Sequence, residues 1–210
     1  MPEKLAMPDT SPSLQACTFD LAQYVDHAFV KKDFAATQNV AITFENCTFQ
    51  GCTLTKALFR GCDFIDCTFV DCDLSLVKIP KCNLQDLRFE HTKLIGINWT
   101  ASESQLYSRL QFHHAVLNYA SFGHMQLKEA IFKDSQCKEV DFSHANLEGA
   151  SFEGSDLTGA SFSQSNLVGA NFQHAKNYTI SPYKNKIKNA KFSLPEALNL
   201  LEELGIDIVW

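Results

Sequence analysis

Large apolar side chains return at every fifth position along most of this chain. From Phe19 the series runs Tyr24, Phe29, Phe34, Asn39, Phe44, Phe49, Leu54, Phe59, Phe64, Phe69, Leu74, Ile79, Leu84, Phe89, Leu94, Trp99, with Asn39 its one polar member. A second series in a shifted register runs Phe112, Leu117, Phe122, Leu127, Phe132, Cys137, Phe142, Leu147, Phe152, Leu157, Phe162, Leu167, Phe172. All 17 phenylalanines lie on these two grids, with Phe192 extending the second. Two residues before each large residue stands a smaller one: Cys47, Cys52, Ala57, Cys62, Cys67, Cys72 and Cys82 early, then Ala145, Ala150, Ser155, Ala160, Ser165 and Ala170. A period of five matches neither the 3.6 of an amphipathic helix nor the 2 of a strand, so the pattern predicts a solenoid of short bends.

The run ANLEG ASFEG SDLTG ASFSQ SNLVG ANFQH, residues 145–174, resembles the A(D/N)LXX signature of the pentapeptide repeat proteins, and the resemblance extends over 16–176. It implies an all-β fold, a right-handed quadrilateral β-helix with four pentapeptides per coil and both the central residue and the small one before it facing inward. Twenty residues per coil would stack Phe29, Phe49, Phe69 and Phe89 on one face and Leu54, Leu74 and Leu94 on the next. The gap from Trp99 to Phe112 is two repeats plus three residues. Three extra residues, and not eight, keep phenylalanine above phenylalanine. The pattern therefore predicts a small outward loop at 100–111, TASESQLYSRLQ, with Phe112 over Phe89. At the ~4.8 Å inter-strand spacing, about eight coils make a rod on the order of 40 Å long.

Residues 1–15 read as a flexible N-terminus and 177–210 as a cap. Ser193 with Glu196 forms a capping-box pattern around Pro195, and Leu194, Ala197, Leu198, Leu201 and Leu204 make a stripe that predicts a short C-terminal α-helix ended by Gly205. The apolar tail IDIVW follows. Leu194, Leu198, Leu201, Ile206, Ile208 and Trp210 are the expected contacts of a homodimer joined through this helix.

The formal charge of −6 argues against direct nucleic-acid binding, and the absence of a signal-like or long apolar segment predicts a cytoplasmic protein without membrane association. Eight cysteines there stay reduced. Spaced C-x4-C, as in CDFIDCTFVDCD (62–73), they fall on successive faces of a coil and read as small core residues, with no metal or other cofactor expected. His124 and His144 can stack, without a third ligand. No phosphate loop, nucleophile elbow or metalloprotease motif is present, so the chain reads as non-enzymatic. Charge is the more telling pattern. Asp26, Asn46, Asp66 and Asp86 recur at twenty and form an outward column that Glu129 joins beyond the loop. Carboxylates ~5 Å apart repel by about 0.8 kcal/mol even in water, so such a column favours a basic partner. Asp63, Asp73, Asp141 and Asp156 read as turn residues, and the lysines between Lys176 and Lys191 as a solvated face.

The size, the loop after Trp99 and the ending FSLPEALNLLEELGI are similar to the quinolone-resistance, albicidin-resistance and microcin-immunity proteins of the family; CDLSLVKIP (72–80) looks nearest to the albicidin-resistance type. The chain departs from them in lacking a long first loop near Asn39. That resemblance implies a DNA mimic that binds DNA gyrase or another type II topoisomerase and protects it from inhibitors. Asp26, Asp66, Asp86 and Glu129 would occupy the enzyme's DNA saddle, with Tyr107 and Arg109 of the loop touching it. The alternatives are a scaffold for an unrelated protein partner and a thiol or metal protein.

Overall fold

Residues twenty apart pair in parallel register throughout the first half of the molecule. Gln23–Val25, Thr43–Glu45, Asp63–Ile65 and Asn83–Gln85 form one four-stranded parallel sheet. Ala28–Val30, Thr48–Gln50, Thr68–Val70, Leu87–Glu90, Leu110–His113 and Ile131–Lys133 form the next. The computed structural model describes residues 17–103 and 109–204, a parallel β-solenoid of about eight turns. Each coil has four sides, named here for the first large residue on each: the Phe19, Tyr24, Phe29 and Phe34 faces.

The pentapeptide bends because nearly every side ends on a residue in the left-handed region. Asp26, Asn46, Asp66 and Asp86 sit there at φ 51–53°, as do Gly149 and Gly169 later in the same column at φ 68° and 69°. Glycine adopts that conformation without a Cβ penalty, and Asn and Asp are the side chains that tolerate it best.

The small slot before each large residue is a hydrogen-bonding position as well as a packing one. Cys72 Sγ donates to the carbonyls of Phe49 and Val70 at 3.3 and 3.2 Å. Thr92 Oγ1 makes the same pair of bonds to Phe69 and Glu90, and Ser135 Oγ to Phe112 and Lys133. The inward thiols thus do the work of hydroxyls. Burial pushes the Cys67 thiol up to about 12 and raises that of Cys137; Cys72 and Cys82 are raised by the thiol each faces, Cys52 or Cys62, and by burial. These four remain protonated at neutral pH and are poor nucleophiles, whereas Cys52 and Cys62 are lowered, to about 7, by the hydrogen bond from the thiol each faces.

Inside, one phenylalanine ladder runs the length of the rod. Phe29, Phe49, Phe69, Phe89, Phe112, Phe132, Phe152, Phe172 and Phe192 stack at centroid spacings of 4.6–5.1 Å. Each fully buried ring contributes on the order of 2 kcal/mol. The one polar member of the grid, Asn39, is buried and bonded: its Nδ2 donates to Thr37 Oγ1 and to the Leu58 carbonyl at 3.0 and 3.2 Å.

Among the described residues the register changes once. Glu103 N–H still donates to the Cys82 carbonyl in the twenty-residue frame, whereas Leu110 pairs with Leu87 and Phe112 with Phe89, twenty-three apart. The three additional residues therefore fall within 104–108, inside the loop expected at 100–111 and outside the described residues. Trp99 begins a short 3-10 turn, Trp99–Ala101, and stacks on Phe122 at 5.4 Å.

The solenoid continues past residue 176, since Asn166 bridges Lys186, and Asn171–Phe172 pairs with Lys191–Phe192. The terminal helix, Glu196–Leu204, is a 3-10 helix and not the α-helix that the apolar stripe predicts. Ser193 does not act as the expected cap donor-acceptor: its hydroxyl accepts from the His174 N–H at 3.0 Å, tying the helix start to the preceding coil. Among the described residues no helix is long and apolar enough to cross a membrane.

Candidate functional site

The outward positions of the Tyr24 face carry charge of one sign over four successive coils. They are Gln23, Val25 and Asp26, then Thr43, Glu45 and Asn46, then Asp63, Ile65 and Asp66, then Asn83, Gln85 and Asp86. Five are carboxylates and none is Lys or Arg. The strands hold their side chains in register because Tyr24, Phe44, Phe64 and Leu84 anchor the alternate, inward positions. The corner residues then project where the backbone turns.

Within the corner column the neighbours differ. Asn46 Nδ2 donates to Asp26 Oδ1 at 2.5 Å, so the amide separates Asp26 from Asp66. Asp66 and Asp86 are directly successive, and among the described residues their carboxylates enter no hydrogen bond or ion pair. The next position belongs to Arg109: with Leu87 opposite Leu110, Arg109 stands one coil beyond Asp86 and is exposed. Glu129 follows, beneath Gly149, where an added Cβ would meet the Glu129 Cγ at 3.4 Å. The column thus reads Asp26, Asn46, Asp66, Asp86, Arg109, Glu129, with a cation between its last two carboxylates. Tyr107 lies outside the described residues.

The turn-residue reading divides. Asp73 and Asp141 accept the N–H two residues on at 2.9 Å, and Asp156 accepts both the N–H and the hydroxyl of Thr158. Asp156 is held low, at about 2; burial opposes that, and hydrogen bonds from Asn177, Thr158 and Lys138 outweigh it. Asp63 differs: it lies in a strand of the acidic face and accepts from Thr43 Oγ1 at 3.3 Å. Glu45 and Asp63 are the two carboxylates that column-by-column reading left out. Laying the chain on a twenty-residue coil places them beside Asp26 and Asp66 and is the signal that finds them.

Elsewhere, His124 and His144 stack at 4.5 Å, and so do His91 and His114 at 4.9 Å. Among the described residues no group of three or more His, Cys, Asp or Glu is arranged to hold a metal ion. At the C-terminal end Leu194 is exposed while Leu198 and Leu201 are half-buried; Ile206, Ile208 and Trp210 lie outside the described residues.

Two family models match the chain, Pentapeptide repeat region over residues 42–106 and Pentapeptide repeats (8 copies) over 135–173. Among solved structures, a trypsin-treated variant of QnrB1, a plasmid-mediated fluoroquinolone resistance protein, is 16% identical over 90% of this chain and 92% of its own, with a TM-score of 0.60. HetL, a pentapeptide repeat protein involved in heterocyst differentiation regulation from a Nostoc cyanobacterium, is 20% identical over 80% and 81%, with a TM-score of 0.39. The likeness to the QnrB1 variant speaks for the fold alone. No curated protein sequence matches the chain. With the repeat matched in both halves and the twenty-residue coil built from it, the chain belongs to the pentapeptide repeat family.

Proposed function

We propose that this chain is a non-catalytic, cytoplasmic DNA mimic whose acidic face occupies the positively charged DNA-binding surface of a type II topoisomerase, DNA gyrase first, and so protects the enzyme from inhibitors. The observation that carries the reading is the Tyr24 face with its corner column, where five carboxylates stand without a cation from Gln23 to Asp86. Four coils span ~14 Å from first to last, which gives about one charge per 3 Å against one per about 1.7 Å for duplex DNA. That is a sufficient line density for salt-sensitive attraction to a DNA-binding saddle. The fold shared with QnrB1, a fluoroquinolone resistance protein, is consistent with this partner class.

The test is a gyrase supercoiling assay with and without a quinolone or albicidin. Wild-type protein should restore supercoiling in the presence of drug and bind gyrase more weakly as salt rises. Asp66→Asn with Asp86→Asn should remove both effects and leave the solenoid folded, because Asn46 already occupies the same left-handed corner position. Neither protection nor gyrase binding by the wild-type protein would overturn the reading. Binding that survives both substitutions would transfer the interaction to another surface and favour a scaffold with an unrelated mode of contact.

A further inference from the structure

Half a coil away from the acidic column, on the diagonally opposite edge, the surface has the opposite charge. The corner there runs Lys56, Leu76, Gly96, Tyr119, each ten residues from an acidic-column position of its own or the neighbouring coil up to Gly96. Beside it on the Phe19 face Leu58 pairs with Lys78 in parallel register, and Arg60 stands next to Pro80. Lys56, Arg60, Lys78 and Gly96 border an open groove of about 750 Å³, which Leu58, Leu76, Pro80 and Ala101 also line. Gly96 makes room for it: a side chain there would come within 2.9 Å of Leu76 Cδ2, on a residue already at φ 68°. Leu76 remains 47% exposed, a large apolar side chain with nothing over it. Lys56, Arg60 and Lys78 take part in none of the ion pairs among the described residues, and no carboxylate lines the groove.

We infer that this groove is a second docking surface, for an acidic segment of a partner protein that carries an apolar side chain between carboxylates. Charge complementarity selects the segment's sign: three cations that join none of the ion pairs among the described residues ring the site and no carboxylate lines it, on a chain whose formal charge is −6. The lining selects a peptide over nucleic acid. Its apolar part is aliphatic, and the ring near it, Tyr119, stands a coil beyond Gly96 and outside the groove, whereas Leu58, Leu76 and Pro80 suit a leucine-like side chain. The surface is independent of the acidic face, so one molecule can hold a basic partner surface on one edge and an acidic segment on the other.

Fluorescence anisotropy with a labelled peptide of alternating Glu–Leu–Leu–Glu units tests the inference, beside the same peptide with Gln for Glu and a labelled single-stranded oligonucleotide of equal length. The acidic peptide should bind, and added salt should weaken it. Arg60→Glu with Lys78→Glu should weaken it about tenfold or more, since each exposed pair has a modest value. Leu76→Ser should weaken it without changing the salt dependence. Circular dichroism confirms that these outward substitutions leave the coil intact. No binding of the acidic peptide, equal binding of the Gln peptide, or an unchanged affinity in the charge-reversed variant overturns the proposal. Tighter binding of the oligonucleotide also overturns it, and assigns the groove to phosphate.

Discussion

A buried thiol that bonds like a hydroxyl should tolerate replacement by one. Cys67 shows what distinguishes the two. Its Sγ donates to the carbonyls of Phe44 and Ile65 at 3.4 and 3.3 Å, as Ser155 and Ser165 do to their own coil neighbours. Burial pushes its pKa from 9.0 up to about 12. In the unfolded chain the thiol ionises near its ordinary value, whereas in the folded chain it keeps its proton. The unfolded state therefore binds fewer protons across that window, and stability falls as pH rises from about 9 to about 12, by up to ~1.4 kcal/mol per pH unit for this one group. Below that window the contribution is fully retained. Urea denaturation at a series of alkaline pH values should show Cys67→Ser with a shallower decline than wild type, and near-equal stability at neutral pH. Parallel declines would mean that Cys67 is not held protonated by the fold.

At the scale of the element, the register break isolates a loop whose removal the coil can bear. Deleting Ser104, Gln105 and Ser108 restores the twenty-residue spacing between Trp99 and Phe112's coil and leaves Leu106 two residues before Arg109, in the slot that Leu84 and Leu127 fill in the flanking coils. The shortened chain should keep its cooperative thermal transition within a few degrees of wild type, because loop-closure entropy changes slowly with length. If the loop touches the topoisomerase, the same chain should lose drug protection; loss of cooperative unfolding would show instead that the loop supports the coil. That the loop needs only three extra residues was legible from the sequence, since stacking Phe112 on Phe89 admits one answer. Asn39 was legible only as an exception, because its partners, Thr37 and the Leu58 carbonyl, are set by the next coil. The run from 177 to 192 hid its continuation of the stack: the grid positions hold Asn177 and Pro182 before Ile187 resumes the spacing, and Tyr178 and Ile180 supply the apolar surface off the grid. Arg109 was placed in the loop by its neighbours in sequence, whereas the twenty-three-residue step puts it in the acidic column.

The whole molecule is a stack with two ends, and the ends are finished differently. A parallel solenoid leaves unpaired backbone groups at both, which invites further stacking unless something covers them. At the first coil Phe19 lies over the core, stacked on Phe34 at 4.1 Å and edge-on to Tyr24, Phe29 and Phe44. Tyr24 Oη donates to Asp20 Oδ1 at 2.8 Å and locks that cover. The last coil ends on Phe192 and the helix Glu196–Leu204, beside which Leu194 is 75% exposed with Leu198 and Leu201 only half-buried. An aromatic cover at one end and exposed leucine at the other favour association through the C-terminal end, where a twofold partner would bury the same residues from both copies. Light scattering after gel filtration should then give a mass near twice 23.5 kDa for the wild-type chain. Leu194→Asp, at a position too exposed to hold up the fold, should shift the mass toward 23.5 kDa, and adding Leu198→Asp should complete the shift. A wild-type chain that runs at 23.5 kDa at every concentration would end the dimer reading. The acidic face would then have to engage its partner as a single rod.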